Sequence, residues 1–151
     1  MSVTTITSPA YEADLAGWAA AQAALLRAGR IAEADLANIA EELDDVGKSQ
    51  RLALASHVGT VIEHLMKLQA SRVREPRNGW RATVRRVRDS IDDVLGASPS
   101  LRRELPAVIA RETGRARSRV AQALADHGEP TSGVSGLSYD ESQVLGPWLP
   151  D

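Results

Sequence analysis

A chain of 151 residues with 20 acidic and 18 basic side chains is close to neutral, and its length suffices to bury a core without covalent staples. It has no cysteine, which excludes disulfides, thiolate metal centres, iron–sulfur clusters and a cysteine nucleophile. No apolar run approaches the ~20 residues of a membrane span, and residues 1–8 lack the basic and apolar regions of a secretion signal, so a cytoplasmic protein is expected.

The apolar residues are mainly Ala, Leu, Val and Ile, with no Phe, a composition that favours helix. Ser8 and Pro9 read as an N-cap and a first helical residue, and Tyr11, Leu15, Trp18, Gln22 and Leu25 then recur at steps of four and three. A Trp and a Gln on that face predict a core ring and an amide satisfied by a neighbouring element. Gly29 ends this first helix. Leu36, Ile39, Leu43 and Val46 carry a second, short and acidic helix as far as Gly47, and Ser49 caps a third over residues 49–72 with the stripe Leu54, Val58, Val61, Leu65 and Leu68.

Residues 75–79 read as a loop, after which Trp80, Val84, Val87, Ile91 and Val94 give a fourth helix ending near Gly96. Ser98, Pro99 and Ser100 open the next element. Leu105, Val108, Ile109, Glu112, Ala116, Val120 and Leu124 describe a fifth helix up to about Asp126, with Pro106 in its first turn, where its missing N–H does no harm. Beyond Gly128 the composition turns to Gly, Ser, Pro and Thr. Tyr139, Val144, Leu145, Trp148 and Leu149 are nevertheless too apolar for a solvated tail, so residues 137–149 are expected to fold back onto the bundle or a neighbouring subunit. The prediction is an all-α single domain over residues 1–151, with a bundle of about five helices at 8–127 and a partly irregular C-terminal tail at 128–151.

Charge is segregated along the chain. Residues 31–46 hold Glu33, Asp35, Glu41, Glu42, Asp44 and Asp45 with no base, whereas residues 72–88 hold seven arginines and one acid. The excess of Arg over Lys is what GC-rich coding produces by itself. Arg81, Arg85 and Arg88 form a basic stripe, but no interleaved aromatics or helix-turn-helix spacing accompany it, which disfavours nucleic acid and leaves a solvated or self-paired face.

Catalytic signals are weak. Gly47-Lys48-Ser49 resembles the end of a phosphate-binding loop, but Glu42 stands where that loop needs glycine, and no strand precedes it. His57 and His64 are two helical turns apart, too far to share one ion, so a metal centre would need His64 together with Glu42 and Asp45 from the preceding helix. The simpler expectation is a boundary His64 bonded to a carboxylate of that helix, a partly exposed His57, and a His127 that complements a helix C-terminus. Glu41 and Glu42 point about 100° apart and do not form an acid–base pair. No cofactor fingerprint or nucleophilic triad is evident.

Tyr11-Glu12-Ala13-Asp14, Trp18, residues 25–30 (LLRAGR), residues 35–42 (DLANIAEE), His64-Leu65-Met66-Lys67, residues 80–84 (WRATV) and residues 98–101 (SPSL) together resemble the bacterial family of domain of unknown function number twenty-nine. The resemblance spans nearly the whole chain and implies an all-helical bundle. It departs from the family pattern at Leu15, where an aromatic is common, and at Leu68, where a Trp is common. It supplies no activity and no catalytic residue; the polar positions that match, Asp14, Asp35, Asn38, Glu41, Glu42, His64, Lys67 and Arg81, are places to look.

The functional expectation is therefore a non-enzymatic protein-interaction module, self-associating or binding a protein partner, with Glu41, Glu42, Arg81, Arg85 and Arg88 as recognition residues. The alternatives are a metal-dependent, hydrolase-like bundle enzyme built on His64, Glu42 and Asp45, and nucleic-acid binding through the arginine stripe.

Overall fold

The computed structural model describes residues 9–151, which are all-α, with no strand among them. The helices are α1 (Leu15–Arg27), α2 (Leu36–Ala70), α3 (Arg77–Ala97), α4 (Leu105–Asp126) and α5 (Glu141–Leu145), joined in part by short 3-10 turns at Ile31–Glu33 and Pro99–Glu104. No described helix is long and apolar enough to cross a membrane.

Two expected boundaries are corrected. The first helix does not begin at Pro9: residues 11–13 form a turn, and α1 starts at Leu15, where the Asp14 carboxylate accepts from the Gly17 amide at 2.9 Å. An acidic N-cap three residues before a free amide is the stronger start signal. Ser8 lies outside the described residues. At the other end Gly29 adopts a φ of 72° just past the helix, the left-handed stop that glycine makes without strain.

The second correction is larger. The acidic helix and the histidine helix are one element, α2, which runs through Gly47 and Ser49 without interruption. A glycine inside a helix costs about 1 kcal/mol relative to Ala, whereas a break would leave several amides and carbonyls at each new end in need of caps. Gly47 also lacks the positive φ of a stop; among the described residues only Gly29 and Gly128 have it.

Residues Met1–Lys48 and Ser49–Asp151 form two compact units. In the second, the C-terminal half of α2 supplies Leu54, Val58, Val61, Ile62, Leu65 and Met66 to a continuous core, with Val84, Val87, Ile91 and Leu95 from α3 and Val108, Ile109, Ala116, Val120 and Leu124 from α4. Each of the Val, Leu, Ile and Met side chains among them contributes about 1.5–3 kcal/mol by leaving water. Pro106 stands in the first turn of α4, as its chemistry requires. The tail folds back onto this core: Val134, Tyr139 and Val144 are buried in it, and Leu137, Leu145, Trp148 and Leu149 pack against it. Asp140 and Gln143 close a reciprocal capping box on α5.

Gly59 lies in close approach to α4, where any larger residue would require a neighbouring side chain to shift. A Cβ there would stand 3.0 Å from the Glu112 carboxylate of α4, which is buried and paired with Arg111 and Arg115 at 3.3 and 2.9 Å.

Candidate functional site

Among the residues before Ser49, the interior is polar and small. Among the described residues of this segment only Trp18 and Gln22 are buried. Asp35 is the hub: its carboxylate accepts from the Trp18 indole at 3.3 Å and from the Asn38 amide side chain at 2.7 Å, while its backbone N–H donates to Gln22 Oε1 at 2.7 Å. It also accepts from the backbone N–H of Asn38, the geometry of an N-cap on α2. The bond from the Asn38 side chain is the main reason this carboxyl is held below the usual aspartate range. Tyr11 donates to Glu42 at 2.6 Å and meets Trp18 edge to face, with ring centroids 4.8 Å apart. Donating to a carboxylate pushes the Tyr11 phenol up to about 12, because its ionised form would have to sit beside Glu42.

The outside of this unit is where its apolar residues lie. Leu15, Leu26, Ile31, Leu36, Leu43 and Val46 are all exposed, Leu43 by 68% and Val46 by 61%, and they make up six of the eight exposed large hydrophobic residues described in the chain. Leu36, Leu43 and Val46 follow one another at seven and three residues, which aligns them along one edge of α2, beside the small Ala40 and Gly47. The surrounding charge is negative: residues 1–48 carry eight carboxylates against Arg27, Arg30 and Lys48. Two of those cations are already paired, Arg30 with Glu33 and Lys48 with Asp45 at 3.4 Å.

The residues singled out from sequence are distributed as follows. Glu41 is exposed on α2, and Glu42 is engaged by Tyr11. His64 lies in the second unit on the same helix as Glu42 and Asp45, not on a second helix facing them, because the expected break at Gly47 is absent. Its Nδ1 is 2.8 Å from the Thr60 carbonyl one turn earlier, in place of the expected bond to a carboxylate. Among the described residues no three His, Asp or Glu side chains are grouped to hold a metal ion. Lys67 pairs with Glu63 at 3.1 Å, and His127 Nδ1 is 2.8 Å from the Ala123 carbonyl at the end of α4.

The arginine stripe is divided. Arg85 is exposed and Arg81 half-buried, but Arg88 is buried and donates to the carbonyls of Val144, Gln143 and Trp148 at 2.7–2.9 Å. Burial and the neighbouring Arg85 charge depress its pKa, and three carbonyl dipoles compensate the charge where no carboxylate is bonded to it. Its role had a sequence signal: Arg88 falls one turn after Val84 and just under one turn before Ile91, inside the apolar stripe. Glu112 on α4 carries the same signal, a charged residue at a core position.

A cleft of about 300 Å³ brings Lys67 and Trp80 together with Ser71, His127 and Glu129. Ser71 and Glu129 are bonded to one another, while Lys67 and His127 are engaged by groups of their own helices. Glu129 accepts from the Arg72 N–H and the Ser71 hydroxyl, both at 2.8 Å, bonds that hold its carboxyl below the usual range, so the cleft is a joint between the end of α2 and the tail.

These features define an all-helical protein whose motif residues, from Asp14 and Asp35 to Glu42 and Lys67, serve as links of the fold. The family described as Domain of unknown function DUF29 matches residues 10–133, and the chain belongs to that family. No curated protein and no solved structure matches it.

Proposed function

We propose that this protein is a non-enzymatic helical docking module, and that its recognition face is the apolar edge of α2 at Leu36, Leu43 and Val46. The observation that carries the reading is the concentration of exposed large hydrophobic side chains in the one unit that has almost no interior of its own. Contiguous exposed apolar surface is unfavourable in water, and a soluble chain retains it where a partner covers it. The candidate recognition residue Glu41 lies on the same segment. The reading draws further support from the structural use of the motif side chains Asp14, Asp35, Asn38, Glu42 and Lys67, each of which is bonded within the fold.

The test is a photo-crosslinking residue placed at Leu43 in the native host, with the same residue at exposed Asp92 on α3 as reference. The expected result is a discrete adduct at position 43 that mass spectrometry identifies, that purified components reproduce, and that is missing at position 92. Indistinguishable labelling at the two positions would sink the reading.

A further inference from the structure

We infer that the occupant of this face is a basic amphipathic helix supplied by a different protein; the inference rests on the docking reading above and names the partner's chemistry. Shape comes first. An edge of Leu36, Leu43 and Val46 at seven- and three-residue spacing, flanked by Ala40 and Gly47, presents large side chains beside small ones, the relief into which the ridge of a second helix packs. The partner must therefore bring apolar side chains at matching intervals.

Charge then decides which helix. Glu42 and Asp44 fall on either side of the edge by helical period, within a unit whose eight carboxylates are opposed by three cations. Arg30 and Lys48 are already paired, and Arg51, one turn after Lys48, is bonded to Glu104 at 3.1 Å. A second copy of this chain fits poorly in two ways. Laying the same edge against itself sets carboxylates against carboxylates; Leu15, Leu26 and Ile31 belong to the same acidic unit, and outside it the only exposed large hydrophobics among the described residues are Leu52 and Val73, which form no stripe. The arginine face of α3 is basic without being apolar. The same carboxylates repel phosphate backbones and anionic lipid. A helix with Leu or Ile on one face and Lys or Arg along its flanks satisfies both demands.

The probe is a pair of synthetic amphipathic helical peptides with identical Leu faces, one flanked by Arg and the other by Glu, titrated into the full chain by calorimetry at low and moderate salt. The Arg peptide is expected to bind at one site at least tenfold more tightly than the Glu peptide, with the preference shrinking as salt rises. Leu43→Ser together with Val46→Ser should weaken it at least fivefold, and Asp44→Lys, which reverses one flanking charge and leaves the Tyr11–Glu42 bond in place, should at least halve the preference between the peptides. Circular dichroism and tryptophan fluorescence serve as the folding control for each variant. Equal binding of both peptides, or binding that ignores the Leu43 and Val46 changes, overturns the inference. If neither peptide binds and the crosslinker at Leu43 joins two copies of this chain, the partner assignment fails while the docking reading stands; if that crosslinker also labels no better than at Asp92, both fail.

Discussion

The two units solve the same problem with opposite means. Residues 49–151 gather apolar side chains from three helices and the returning tail into one core, while residues 9–48 bury a Trp and a Gln and tie them with hydrogen bonds to Asp35. The first arrangement is held mainly by removing carbon from water, a non-directional force that grows with area. The second depends on directional bonds worth about 0.5–1.5 kcal/mol each, net of those given up to water. A unit of the second kind leaves large apolar residues outside; the long shared helix α2 shows the contrast within one element, with Leu43 and Val46 exposed and Leu54, Val58, Val61, Leu65 and Leu68 buried.

Substitution at matched leucines breaks the comparison most sharply. Leu65→Ala in the core should cost about 2–5 kcal/mol in urea unfolding, because the packed neighbours cannot collapse into the space. Leu43→Ala should change stability by no more than about 0.5 kcal/mol, since none of the described residues covers it. Similar losses at the two positions would contradict the burial pattern.

Arg88 gives the next effect. Arg88→Met keeps much of the volume but leaves three carbonyls of the tail without their donor, so a loss of about 1–3 kcal/mol is expected, with faster proteolysis near residues 143–149. An unchanged cleavage rate would mean that the apolar contacts of the tail suffice alone.

The smallest effect is acid sensitivity. Asp35, Glu129 and Asp140 all have carboxyls depressed by hydrogen bonds in the folded chain. Such groups contribute stability that is fully present above their unfolded values of about 4 and is lost as pH falls through the folded ones. Denaturation midpoints should hold steady between about pH 5 and 7 and decline below about 4, and Asp35→Asn should flatten part of that decline. In hydrogen exchange the Asp35 change should deprotect amides of α1 before those of α4. Equal deprotection of both helices would show that the two regions unfold together.

The periodicity of Val84, Val87, Ile91 and of Val108, Ile109, Ala116, Val120 was enough to place α3 and α4, because core helices write their buried face into the chain at 3.6 residues per turn. The return of the tail was legible in the apolarity of Tyr139, Val144 and Trp148, side chains that gain by leaving water. Local signals misled where two readings compete: Gly47 followed by Ser49 is the grammar of a stop and a cap, and Ser8 with Pro9 that of a start. The candidate site was legible in its charges and not in its exposure. Leu36, Leu43 and Val46 have the same spacing as a core stripe, and nothing in their sequence distinguishes an edge that is covered from one that is not.

Composition and period, then, determined an all-helical chain, the faces its helices would bury and the segregation of acid from base, since those properties follow from bonds and side chains a few residues apart. Tertiary structure decided what depends on residues far apart. It made α2 continuous, turned Arg88 inward to hold the tail at Gln143, Val144 and Trp148, and left one apolar edge bare because no other segment of the described chain covers it.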